Sequence, residues 1–148
     1  MKTDTRARYQ GYTFFFKEGF CWNNVLSTYI KCRMKDRTIY STESMSLFSQ
    51  TATVPEFYIV SIMNAKLVAY FVESFINSTS HCTTGDAKLI PIIIPVKETL
   101  NIFEELFNSA IEIKKAELSD KISLKESERQ LLEIQKRLDK IVNKLYSV

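Results

Sequence analysis

The chain reads as an α+β protein. A small N-terminal mixed β region packs on a long buried helix, and a C-terminal helical hairpin or coiled-coil-like arm follows. Three patterns predict this. Between Tyr29 and Tyr40 apolar and basic residues alternate with period two, the signature of a strand with two unlike faces. From about residue 54 to 77 apolar residues occupy nearly every side of a helical projection, as in a buried helix. Beyond Lys97 apolar residues recur at three- and four-residue steps, the period of a helix with one apolar face. The division follows: residues 1–96 form a β-rich domain with a core helix at about 54–77, and residues 97–148 form the helical arm.

Taken in order, Tyr12-Thr13-Phe14-Phe15-Phe16 is an aromatic run suited to a buried strand. Gly19 punctuates it, and Phe20-Cys21-Trp22 resumes the apolar pattern. In the alternating segment Ile30, Cys32 and Met34 face inward, while Lys31, Arg33 and Lys35 face outward, about 6.6 Å apart along the strand. Thr53 and Glu56 have the spacing of a capping box and set the start of the core helix. A membrane span of similar length competes for this stretch, but Glu56, Asn64, Lys66 and Glu73 interrupt it at a cost that favours a core helix. Residues 78–84 form a polar loop. Leu89 to Pro95 reads as a short strand broken and ended by prolines. A helix spans about 97–118, and a last one about 123–146. In the last, Leu131, Ile134, Leu138, Ile141 and Leu145 follow a strict heptad seam that suits an antiparallel hairpin or a partner helix.

At 148 residues, 45% hydrophobic and 25% charged, the chain can bury a core of one domain. Three isolated glycines exclude a Gly-rich phosphate or dinucleotide loop. Cys21, Cys32 and Cys82, an odd number without close pairs, with His81 the one histidine, fit neither a disulfide framework nor a zinc site. No metal site is expected, and the thiols suit a reducing compartment. Residues Met1 to Arg8 are polar and lead into no signal-like apolar run, so a cytoplasmic location is expected. No nucleophile–base or carboxylate constellation has catalytic spacing, so the chain is expected not to be an enzyme by itself and to hold no cofactor.

The net charge of +3 is unevenly spread. Residues 1–37 carry eight bases and three acids, including Lys2, Arg6, Arg8, Lys31, Arg33, Lys35 and Arg37, whereas residues 97–148 carry ten of each. A basic N-terminal third of this kind suits a polyanion.

Several segments in succession carry a family likeness. Glu18 to Val25 followed by the basic strand, then Ser44-Met45-Ser46-Leu47, then Tyr58 to Leu67 with Met63-Asn64-Ala65-Lys66-Leu67 at its end, then Gly85 to Pro95, and finally Val142 to Tyr146, occur in one order. Together they resemble the C-terminal target-recognition domain of adenine-N6 DNA methyltransferases and of fused type IIG restriction–modification enzymes, the TaqI-like specificity fold. Met63 and Ala65 depart conservatively from the leucine-asparagine-serine-lysine-leucine helix of that family. The resemblance implies a module that reads double-stranded DNA, while S-adenosylmethionine belongs to a catalytic domain or subunit of the parent that this chain lacks. It implies phosphate contacts from Lys31, Arg33, Lys35 and Arg37. Candidates for base reading are Asn23, Asn24, Gln50, Asn77, Ser80, His81, Thr83 and Lys88, short polar or cationic side chains able to meet base edges. A dimer through the C-terminal helices is a further partner option, and no membrane partner is expected. The alternative reading is a coiled-coil-mediated protein-interaction module without DNA affinity.

Overall fold

The computed structural model describes residues 12–25, 28–39, 44–49 and 53–147. Its architecture is the expected α+β arrangement. Strands β1 (Gly19–Asn23), β2 (Arg33–Lys35) and β3 (Ser44–Leu47) form an antiparallel sheet in the order β2-β1-β3. Helix α1 (Glu56–Met63) packs beneath it, and α2 (Lys66–Phe71) follows, running on into a wider π turn at Val72–Ile76. A single-turn helix α3 (Thr84–Ala87) precedes the two long helices, α4 (Lys97–Leu118) and α5 (Leu124–Leu145), which form the hairpin.

The register follows from side-chain alternation. Phe20 lies opposite Met34 and Leu47, and Trp22 opposite Met45, so these side chains share the inner face. There Trp22, fully buried, stacks on Phe20 at 6.3 Å between ring centroids and donates its indole N–H to the Cys82 carbonyl at 2.8 Å. The inner face rests on Tyr58, Val60, Ile62 and Met63 of α1, and Val68 and Val72 extend this core along the second helical segment. Tyr58 meets Phe103 of α4 edge-on at 4.9 Å and donates its hydroxyl to the Ile93 carbonyl, which fastens the arm to the core. Gly19 is required where β1 meets the end of β3, because a Cβ there would stand 2.6 Å from the Leu47 carbonyl oxygen and the Phe48 ring.

Four expectations are corrected. The aromatic run at 12–16 is not a strand: Tyr12–Phe14 form a short 3₁₀ turn, and Phe16 takes a left-handed backbone (φ 60°) that ends it. From this turn Phe14 stacks on Phe48 at 5.7 Å, just beyond the end of β3. The Thr53/Glu56 capping box does not form. Pro55 occupies the N-cap in an extended conformation, and the Glu56 carboxylate accepts the Ser49 N–H at 3.2 Å. Residues 91–96 have no strand partner among the described residues; the two prolines leave an extended segment whose carbonyls at Pro91 and Ile93 accept the Tyr146 and Tyr58 hydroxyls.

The single long helix is also two. α1 and the helix beginning at Lys66 meet at 66°, and Asn64 and Ala65 form the elbow. The cause is a set of polar bonds at the bend. The Asn64 side chain accepts the Cys32 N–H and donates to the Cys32 C=O, both at 2.8 Å, as a neighbouring strand would. Cys32 needs such a partner because left-handed Lys31 (φ 55°) takes the chain out of the strand ladder just before β2. Asp139 of α5 then accepts the Lys66 N–H at 2.9 Å, capping α2 from outside, and Gln135 donates to both the Asn64 carbonyl and Asp139 at 3.0 Å. Among the described residues no single helix is long and apolar enough to cross a membrane; this bent pair passes only jointly, and it lines the core.

The arm matches its sequence expectation. Ser123 caps α5, its hydroxyl accepting the Glu126 N–H at 3.2 Å. Asp120 ends α4 in a left-handed conformation (φ 55°), with its N–H bonded to the Glu117 carbonyl at 3.0 Å and the Lys121 N–H to Ala116 at 2.9 Å. That is a Schellman closure. The heptad seam is used inside the chain: Leu138, Ile141 and Leu145 join the core, and Leu131 and Ile134 line a groove opposite Phe107, Ala110 and Ile111 of α4.

Candidate functional site

The predicted site residues separate into two groups, and the reason lies in how β1 ends. Past Asn23 the chain leaves β2 and β3 and meets the 77–83 loop instead. Val25 lies across from His81, and the Cys82 N–H donates to the Asn24 carbonyl at 2.9 Å. The indole bond from Trp22 to Cys82 anchors the same loop from the inner side. Cys82 is therefore buried, and the loop lies against the end of β1 as an additional short strand segment.

This junction brings together Asn23, Asn24, Ser80 and His81. Residues two apart on a strand project to one side, and bridge partners project together. By this parity Asn23, Val25 and His81 share the outer face of the sheet, where Arg33 of β2 joins them. Asn23, Val25, Ser80, His81 and Arg33 are all exposed. The Arg33 guanidinium donates from Nη1 to Asn23 Oδ1 at 3.0 Å. The Asn24 amide oxygen is buried without a hydrogen-bond partner among the described residues.

The loop is braced by its far end. Asn77 accepts the N–H and hydroxyl of Thr79 at 3.0 and 2.7 Å and donates to Asp86 at 3.0 Å. Asp86 accepts the Thr83 N–H and hydroxyl at 2.8 and 2.9 Å, completing the capping box of α3. The Thr83 N–H and the Asn77 amide hold the Asp86 carboxyl below its usual range. Thr83 and Asn77, expected to read bases, thus have structural work inside the loop. The Thr83–Asp86 spacing is that of a capping box, the same pattern that Thr53 and Glu56 share without forming one.

The expected row of outward cations is broken. Lys35 is only 7% exposed: it shares the outer face with Arg33, but the Phe14–Phe48 pair covers that end. Its ammonium donates to the Lys17 carbonyl at 2.6 Å and sits 5.4 Å from the Phe48 ring centroid. Met34, expected to be buried, is 40% exposed because β2 is an edge strand. Arg37 is exposed but forms an ion pair with Glu18 at 3.1 Å. Lys31 and Arg33 remain exposed near the junction, and Lys88 stands apart beyond α3, beside a groove lined by Phe48, Met63 and Ile90. Gln50, with Lys2, Arg6 and Arg8 of the basic third, lies outside the described residues.

The thiols belong to the core. All three are free and buried; desolvation pushes the Cys32 thiol up, and burial raises that of Cys82 to about 11. Among the described residues no three His, Cys, Asp or Glu side chains gather as a metal site would require. No protein-family model matches this chain, and no curated protein matches it.

Proposed function

We propose that this chain is the target-recognition module of an adenine DNA methyltransferase or restriction–modification enzyme. In this reading the catalytic domain, with its S-adenosylmethionine, lies on another part of the protein or on a partner subunit, and the chain itself carries no catalytic step. A cytoplasmic location goes with it. The observation that carries the proposal is the junction at the end of β1, where Asn23, Arg33 and His81 stand exposed on one face of the sheet and Ser80 is exposed next to His81 in the loop. Short polar side chains and an arginine, fixed by main-chain bonds rather than carried on a free loop, are what base-edge readout requires. The elbow adds support. The Met63–Leu67 segment that resembles the family's helix is the site where Asn64 ties the core helices to Cys32, which gives its asparagine a physical purpose.

Affinity would come from few phosphate contacts. Lys35 is committed to Lys17 and Phe48, and Arg37 to Glu18, so Lys31 and Arg33 carry the exposed charge near the junction. The alternative, a protein-interaction module acting through the heptad seam, is less favoured because that seam packs within the chain.

Fluorescence anisotropy with randomised DNA duplexes at low and physiological salt tests the proposal. Binding that enriches one short sequence is expected, with log affinity falling by about 0.9 per phosphate contact for each tenfold rise in salt. No binding at low salt would overturn it, and a concentration-dependent oligomer in that case would favour the interaction module.

A further inference from the structure

Resting on the DNA-recognition reading, we infer that Asn23 holds Arg33 as a preset fork for one guanine, so the target sequence contains a G·C pair read by Arg33. Both Cα positions are fixed by the sheet: Asn23 ends β1, and Arg33 begins β2 opposite Cys21, two residues away on the same face. The bond from Arg33 Nη1 to Asn23 Oδ1 uses one of five guanidinium N–H donors. The opposite edge keeps two parallel donors in fixed geometry, and the side chain is exposed.

The identity of the holding partner matters. Arg37, a few residues on, is paired with the carboxylate of Glu18, which neutralises it. Arg33 is held by a neutral amide and keeps its full charge. An arginine positioned without being neutralised suits an acceptor-rich ligand. In the major groove guanine presents two adjacent acceptors, N7 and O6, whereas adenine offers one acceptor beside a donor. A fork of donors alone therefore selects guanine. Access also fits: β2 is an edge strand, so Arg33 stands at an open border of the sheet.

The contrasting role for an exposed arginine is a phosphate contact, which would carry affinity but no sequence preference. The full chain and its Arg33→Ala, Arg33→Lys and Asn23→Ala variants should be passed through selection on randomised duplexes, with affinities then measured on the enriched site. Both positions are exposed, and thermal melts of the variants check that folding is kept. Arg33→Ala is expected to lose guanine preference at a single position, with about a 5- to 150-fold loss on the enriched site and preferences elsewhere unchanged. Arg33→Lys should keep general affinity and weaken that preference by less than Arg33→Ala, since an ammonium still donates to guanine O6 and N7 but without the planar fork. Asn23→Ala should weaken the same preference by less. A uniform fall across all sequences, with a salt slope shallower by about one, would make Arg33 a phosphate contact and overturn the inference while the recognition reading stands. Unchanged specificity in Arg33→Ala would overturn it likewise. Failure of the unaltered chain to bind any duplex would overturn the recognition reading, and this inference with it.

Discussion

The sheet domain and the helical arm are held together by different physics. In the arm, order is local. Ser123 and Asp120 set helix ends, and ion pairs at i,i+3 such as Glu126–Arg129 and Glu133–Lys136 decorate the surface. One apolar seam then joins α5 to α4 and the core. In the sheet domain the decisive bonds connect residues far apart in the chain: Trp22 to Cys82, Asn64 to Cys32, and Tyr58 to Ile93. Such bonds involve wholly or partly buried groups with little water to fall back on, so each is worth more to the native state than an exposed ion pair on the arm.

Substitutions can break this contrast, beginning where it is deepest. Trp22→Ala should cost about 3–5 kcal/mol, since it empties the centre of the core and unties the Cys82 loop. Chemical denaturation followed by circular dichroism would measure it, and loss of the α4–α5 helical signal in the same transition would mean that the two regions unfold as one unit.

Asn64→Ala is expected to cost about 2–3 kcal/mol, because it strands the N–H and C=O of Cys32 beneath the sheet. Reactivity of Cys32 toward an alkylating reagent sharpens the result. In the intact protein the raised thiol and its burial should make labelling at pH 8 slow, and the variant should label markedly faster. Equal labelling rates would mean that the elbow bonds do not hold that segment.

Asp86 offers a smaller, pH-dependent handle. Its pKa is lowered in the fold, so its contribution is present above the unfolded value, near 3.8, and is lost as pH falls through the folded value. Asp86→Asn should therefore cost about 1 kcal/mol at neutral pH, the scale of a lost cap, and little in acid. Thermal melts at pH 7 and pH 2 would compare the two.

The arm supplies the smallest effects, one of them of opposite sign. Asp120→Gly removes the strain of a left-handed non-glycine residue and should stabilise by roughly 0.5–1 kcal/mol. Glu133→Ala, which removes an exposed pair with Lys136, should change stability by no more than about 0.5 kcal/mol. A larger loss there would mean that the arm depends on its surface charges and that the contrast between the regions is drawn too sharply.

Legibility followed the same division. The bounds of α4 and α5 could be read from spacing, because a helix closes its hydrogen bonds within a few residues and a seam repeats along it. In the sheet domain Phe20, Trp22, Ile30 and Cys32 declared themselves as core. The elbow did not, since an apolar run looks alike whether straight or bent, and what bends this one is a bond from Asn64 to a residue 32 positions away. The candidate site was half visible. Asn23, Asn24, Arg33, Ser80 and His81 were named from residue chemistry, but only the Val25–His81 pairing brings them to one junction. The partners that occupy Lys35 and Thr83, Phe48 with Lys17 and Asp86, were not legible, being matters of packing and of which of two similar capping patterns forms.

By itself, then, the amino-acid order determined what depends on near neighbours: fold class, the helical arm, the turn chemistry at Ser123 and the apolar membership of the core. The tertiary structure alone decided where the core helix bends, which cations stay exposed and which polar residues meet. Those outcomes depend on bonds and coverage between segments distant in the chain, and a desolvated group takes whichever partner the completed packing brings within reach.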